Sequence, residues 1–224
     1  MKNLTARLLA LFSLLTLEIV LVAAGFLVAF GLFFYLTRVV FIEHSVTFDN
    51  WAFGQMDRVR AAVPGLTPWV RRVTFFASLP FLVGAGIGLP ALLAVMRRRR
   101  EALEVLLAVA GAALLNQLLK THFHRLRPTS ALIPQPGLSF PSGHAMIGIA
   151  LYGCVAWLLW QHGRHPFWAI LLLLWAGLIG CTRIYLHVHY ATDVVAGLAA
   201  GISWLIVLRA TMRWFQREKK AVAL

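Results

Sequence analysis

Lys120, Arg127, Ser142, Gly143, His144, Arg183, His189 and Asp193 follow one another along one part of the chain, and their types are those that a phosphate-cleaving site requires. A phosphate ester gains charge on its equatorial oxygens as it reacts, so a catalyst must hold fixed cations and preorganised N–H donors around it. Lys120, Arg127 and Arg183 supply the cations. Arginine offers a planar fork for two phosphate oxygens, and lysine a mobile point charge. Ser142 and Gly143 come directly after Pro141, where a helix is expected to open. Unpaired backbone N–H groups and the positive end of the helix dipole there form an anion cradle.

Two histidines take separate tasks. His189 and Asp193 are four residues apart, so a helix beginning near residue 188 places them one turn apart on one face. The carboxylate then holds one ring nitrogen and leaves the other to attack phosphorus. His144, one residue past the cradle, has no carboxylate at helical spacing and can carry a proton to the leaving oxygen. Taken singly, a Ser-Gly-His triplet reads as a helix cap and a His-Asp pair as a surface contact. Their joint occurrence, in order and on one expected face, points instead to catalytic His189, His144 and Asp193 with a phosphate held by Lys120, Arg127, Ser142, Gly143 and Arg183.

No metal and no other cofactor is expected, because the three cations bring the charge a metal would supply and no carboxylate cluster accompanies them. His122, His124 and His187 fit interfacial loop positions better than metal ligation. Arg125 is read either as a further phosphate contact or as a headgroup contact, and Glu18, deep in the first apolar stretch, as an internal hydrogen-bond partner.

The elements that must position these residues are membrane spans. The 224-residue chain is 60% apolar and 13% charged, which excludes an ordinary soluble surface and indicates an integral membrane protein. Six apolar stretches have helical spanning length: 8–36, 73–96, 102–119, 142–160, 167–184 and 194–212. The expected fold is all-α and polytopic, one membrane domain over residues 1–224 with its motif core at 120–193. Pro80 and Pro90, with Gly84, Gly86 and Gly88 between them, imply a kinked second span. Between the first two spans, 40–72, Ala52, Met56, Val59 and Val63 recur at helical spacing after a possible cap at Asp49. That pattern favours an interfacial helix that covers the bundle over a substrate gate.

The net charge of +13 does not imply nucleic acid, because the basic residues stand in short clusters between spans. Lys2, Arg7, Arg97 to Arg100, Arg164, Arg213, Arg217, Lys219 and Lys220 all fall on one side if the spans alternate. The positive-inside rule makes that side cytoplasmic. Both termini are then cytoplasmic, the protein is multi-pass in the inner (plasma) membrane, and the motif residues emerge on the outer face. The first stretch is too long for a signal peptide. Cys154 and Cys181 sit in separate spans and suggest neither a disulfide nor a metal site.

The three motif segments resemble the signature of the type 2 phosphatidic acid phosphatase superfamily, the lipid phosphate phosphatases. The first motif is met by Lys120, Arg127 and Pro128, the second by Pro141, Ser142, Gly143 and His144, and the third by Arg183, His189 and Asp193. Thr182 stands where a serine often precedes the third-motif arginine, a change expected to tune phosphate binding at most. The six-span layout resembles compact bacterial members. The resemblance implies a phosphohistidine at His189, no metal requirement, and a membrane lipid as substrate. Undecaprenyl diphosphate is favoured, with phosphatidylglycerophosphate as runner-up. A lipid phosphotransferase, a non-catalytic lipid binder and a vanadium haloperoxidase are the competing readings.

Overall fold

A computed structural model of the chain describes the backbone of residues 2–222 and the side chains of residue 17 and residues 19–215. The expected role of Glu18 therefore lies outside the described side chains. Every regular element among the described residues is an α-helix: α1 (Lys2–Phe41), α2 (Thr47–Ala62), α3 (Leu66–Phe75), α4 (Leu79–Val95), α5 (Arg99–Phe123), α6 (Gly143–Gln161), α7 (Pro166–Tyr185) and α8 (Ala191–Val222). Among the described residues six segments are long and apolar enough to cross a membrane: Ile19–Phe41, Leu66–Val95, Arg99–Phe123, Gly143–Gln161, Pro166–Tyr185 and Ala191–Phe215. The class is the one the hydropathy pattern predicts.

The second span differs from its expectation. It starts earlier, at Leu66, and is built from α3 and α4 rather than from one kinked helix. The break falls at 76–78, where the amides of Phe76, Ala77 and Ser78 turn back onto the carbonyls of Val73, Thr74 and Phe75. Pro80 lies in the first turn of α4, where its missing N–H leaves no helical bond unmade, so it starts a helix instead of bending one. Pro90 is inside α4 and buried.

The interfacial segment is a helix, α2, with two corrections. Asp49 is not its cap; the N-cap position is Val46, no side chain caps the helix, and Asp49 lies fully buried in the first turn. Ala52 and Met56 face the bundle as the stripe predicts, but Val59 and Val63 are 43% and 48% exposed. The first half of α2 packs on the residues around Ala191 and Val194, whereas the second half meets the end of α7 and the loop after it through Met56, through Asp57, 3.1 Å from His187 Nε2, and through Arg60 Nη1, which donates to Tyr185 O at 3.3 Å.

α6 is the centre of the bundle, against α5, α7 and α8, with α1 along α8 and α4 along α5. The outer surface is apolar, with Val28, Leu174 and Val95 at 71%, 66% and 82% exposure. Lipid tails are as apolar as these side chains, so helix association in a bilayer depends on close backbone approach. Gly197 and Gly201, one turn apart on α8, provide it. A Cβ at Gly197 would stand 2.7 Å from Ser142 O, and one at Gly201 would stand 2.6 Å from Met146 O. These two glycines set α8 directly on the first turn of α6. Gly197→Ala is therefore expected to push Ser142 away, costing about 1–3 kcal/mol of stability and most of the phosphate affinity. Gly177→Ala, with nothing within 4 Å of its added carbon, is the control. Thermal unfolding and phosphate inhibition in detergent check both.

Candidate functional site

Asp193 organises the site from the third residue of α8. That helix begins at Ala191, not near residue 188, so His189 lies outside it and the pairing is not made on a continuous helical face. The Asp193 side chain instead doubles back: Oδ2 accepts the Tyr190 N–H at 3.0 Å, the reach of a third-position carboxylate to a cap residue. The same oxygen lies 3.4 Å from His189 Nδ1 and accepts a short hydrogen bond from Ser139 Oγ. Oδ1 takes Arg125 Nη1 at 2.5 Å. The carboxylate is fully buried, and each partner offsets the cost of keeping its charge there.

Arg125, read as a phosphate or a headgroup contact, is engaged by two buried carboxylates. Its guanidinium bridges Asp193 and Asp49, the latter at 2.8 Å, donates to Thr192 Oγ1 at 2.7 Å, and stacks 3.9 Å above the Tyr190 ring. Asp49 in turn caps α8 from another helix, accepting Thr192 N–H at 2.8 Å and Thr192 Oγ1 at 2.9 Å. The residue read as the cap of α2 thus caps the helix that carries Asp193.

His189 is 2% exposed, and burial pushes its ring down to about 3, against the opposing pull of Asp193. It is neutral at neutral pH. With Nδ1 directed at Asp193 and Ser139, the second nitrogen, Nε2, faces the cations and meets Arg127 Nη1 at 3.1 Å. Arg127 also donates to Gly137 O at 3.0 Å and Val188 O at 2.6 Å. Burial lowers its pKa, offset by the charge of Asp193. Lys120 reaches the carbonyls of Leu138 and Ser139. Arg183, 1% exposed, donates to Thr74 Oγ1 at 2.8 Å and Gln135 Oε1 at 3.0 Å, and its Nε has no partner among the described residues.

Ser142 is the N-cap of α6, yet its buried hydroxyl caps nothing and has no partner among the described residues. Its N–H is taken by Asp193 O at 3.0 Å. The cradle therefore offers the Ser142 hydroxyl and the amides beyond it, but not the Ser142 amide. Asn116 supports the turn by donating to Pro141 O at 3.1 Å. A Cβ at Gly143 would stand 3.0 Å from Asn116 Oδ1. The His144 side chain makes no hydrogen bond among the described residues and lies within electrostatic reach of Arg183, His189, Arg127 and Lys120. All eight candidate residues thus converge at one end of the bundle.

Thr182 does not join them, because its hydroxyl is bonded to Ile179 O of its own helix. His187 is buried in the α7–α8 loop, 3.0 Å from Ser130 Oγ, 3.1 Å from Asp57 and 4.3 Å from the Phe53 ring. Among the described residues no three or more His, Cys, Asp or Glu come together to hold a metal ion. The sequence reading missed Ser139, Asp49, Thr192, Gln135, Thr74 and Asn116. One signal was available: an acidic residue outside the motifs, on the same face as an unassigned arginine, is the pair a membrane protein is bound to neutralise.

Comparisons with known proteins bear on the family and the fold. The PAP2 superfamily model matches residues 101–218. Phosphatidylglycerophosphatase B of Bacillus subtilis is 32% identical over 159 residues, 64% of this chain and 75% of that protein. An undecaprenyl-diphosphatase of Sulfolobus acidocaldarius is 34% identical over 131 residues, 54% of this chain and 60% of that one. The crystal structure of a transmembrane PAP2-type phosphatidylglycerolphosphate phosphatase from B. subtilis superposes with a TM-score of 0.74 at 26% identity, covering 84% of this chain and 95% of that one. That of Aquifex aeolicus LpxE gives 0.59 at 27% identity over 70% and 92%. With its motif residues gathered at one end of six membrane helices and more than half its length matched, the chain belongs to the PAP2 superfamily of lipid phosphatases.

Proposed function

We propose that the protein hydrolyses the terminal phosphate of a lipid phosphate or diphosphate through a phosphohistidine at His189. The observation that carries this reading is the buried, neutral His189 ring, with Nδ1 turned to Asp193 and Nε2 turned to the cations. The incoming phosphate displaces Arg127 from Nε2 and takes donors from Lys120, Arg127, Arg183, the Ser142 hydroxyl and the free amides of the α6 N-terminus. Nε2 forms a bond to phosphorus as the bond to the lipid oxygen breaks. His144 protonates that oxygen, and Asp193 stabilises the charged ring of His189. Water, giving its proton to His144, then attacks phosphorus; the P–N bond breaks, and phosphate and neutral His189 are restored. Activity survives chelation in this scheme, because Lys120, Arg127 and Arg183 carry the charge.

For the lipid, undecaprenyl diphosphate is the substrate the compact architecture favours. Phosphatidylglycerophosphate is the second reading, supported by the likeness to the B. subtilis enzyme over 75% of its length. Both present a terminal phosphate at headgroup depth, so tail packing decides between them. Phosphate release from the two lipids in one detergent, compared as kcat/KM, separates the readings. Efficient cleavage of phosphatidylglycerophosphate with the polyprenyl diphosphate untouched would reverse the preference.

Orientation follows from the basic clusters, which we place in the cytoplasm with both termini, leaving the catalytic end outside the inner membrane. In a Cys154→Ala, Cys181→Ala background, a cysteine at Thr129 is expected to react with an impermeant thiol reagent on intact cells, and one at Arg99 is not. The opposite labelling would invert the protein.

Mutations read the mechanism. His189→Ala should abolish turnover and the acid-labile phosphoenzyme. Asp193→Asn should reduce kcat by about 10⁴-fold, as loss of the carboxylate behind a catalytic imidazole does elsewhere. His144→Ala should lose most activity on poor leaving groups and recover on activated aryl phosphates. Equal losses on both would remove its role as acid.

Asp49 acts only through Arg125 and the α8 terminus. Asp49→Asn should therefore lower kcat on the order of tenfold to a hundredfold with KM nearly unchanged, the size seen for groups that orient a functional side chain. A rise in KM alone would assign Asp49 to substrate binding instead.

A further inference from the structure

The end of the bundle opposite the phosphate cluster carries a second, differently built arrangement. From Asp193 to Arg213, α8 runs about 30 Å along its axis, the thickness of a hydrocarbon core. Two apolar grooves flank the seam between α1 and α8 there. One, of about 600 Å³, is walled by residues of α1, α6, α7 and α8, among them Leu21, Gly153, Leu173 and Leu205. The other, of about 370 Å³, is walled by α1 and α8, including Ile19, Ala23, Phe26 and Val207. Both grooves share Val22, Ile206, Ala210 and Arg213, so they meet at the seam beside one arginine.

The polar groups at that meeting point are guanidiniums and one buried carboxylate, with the guanidiniums in excess. Arg209 and Arg213 lie 4.6 Å and 5.1 Å from the centre of the Trp157 ring. Arg209 Nη1 pairs with Glu104 at 3.1 Å, but the same carboxylate also serves Arg100 at 3.1 Å, so one anion is divided between two guanidiniums. Arg209 Nη2 and Trp157 Nε1 have no acceptor among the described residues. Those two atoms are fully buried and do not face either groove; the basic residue that both grooves share is Arg213, beside a cluster in which guanidiniums outnumber the one carboxylate they surround.

We propose that this end is a binding site for a two-chain phospholipid with an anionic headgroup, its phosphodiester against Arg213 and Arg209 and one acyl chain in each groove. Two contiguous apolar grooves meeting under cations match a lipid with two tails and one charge. The long arginine stems suit headgroup depth, where their ends reach the interface while their methylenes stay in the apolar layer. The site stands apart from the phosphate cluster and does not depend on the reaction assigned to it.

Native mass spectrometry of the purified full-length protein, titrated with phosphatidylglycerol or with phosphatidylcholine of the same chains, tests the proposal. One phosphatidylglycerol per chain is expected to bind at least about tenfold tighter than phosphatidylcholine. Arg213→Gln and the Arg209→Gln, Arg213→Gln pair should erase that preference and leave phosphatidylcholine binding unchanged. Ala210→Trp, which fills the seam, should weaken both lipids. Arg127→Gln, at the phosphate cluster, should leave the preference intact. Equal binding of the two lipids would overturn the proposal. So would a preference kept by Arg213→Gln and lost in Arg127→Gln, which would place the lipid at the phosphate cluster. If the double variant does not fold, Arg213→Gln alone still decides.

Discussion

The buried charge of Asp193 is the constraint on which the rest of this structure depends. A carboxylate with no solvent exposure must be neutralised and hydrogen-bonded where it stands. Here that requirement draws in Arg125 from the loop after α5, Ser139 from the loop before α6, the Tyr190 amide and the ring of His189. Arg125 then needs a second anion to fill its fork, and Asp49 supplies it from α2. Segments far apart in sequence are thereby fixed to the first turn of one helix. The loop between the first and second motifs and the loop between α7 and α8 cannot shift independently.

The cations proposed to bind phosphate meet a different constraint. Three of them crowd into one end of an apolar bundle, and the structure holds Lys120 and Arg127 on backbone carbonyls of Leu138, Ser139, Gly137 and Val188. Carbonyl dipoles are weaker partners than an anion, so a phosphate can replace them with a gain in interaction. Arg183 is held more firmly, by side chains from α3 and the motif loop, and keeps one nitrogen unbound by any described residue. One group is thus fixed with a nitrogen left open, while the other two rest on carbonyls that an anion can displace. The contact of Arg127 with Nε2 of His189 covers the proposed nucleophile.

Membrane packing serves this chemistry through small residues. Because Gly197 and Gly201 let α8 touch the first turn of α6, the Ser142 amide reaches Asp193 O and the two halves of the site become one rigid unit. The opposite end has no such closure. There α1 leaves apolar grooves against α8, lined in part by Arg209 and Arg213.

The sequence by itself determined the helical class, the six spans, the grouping of Lys120, Arg127, Ser142, Gly143, His144, Arg183, His189 and Asp193 at one end, and the family, because hydropathy length and residue type at fixed spacing are local properties of the chain. Tertiary structure alone decided what depends on which groups are buried together. Periodicity could mark Asp49 as a cap, but only the fold turned it toward α8 and Arg125. Spacing could pair His189 with Asp193, but the helix starts two residues after the histidine, and the contact is made by a carboxylate folding back across its own N-terminus. Ser139 was invisible for the same reason: a lone serine in a loop carries no signal until a buried carboxylate must be satisfied beside it.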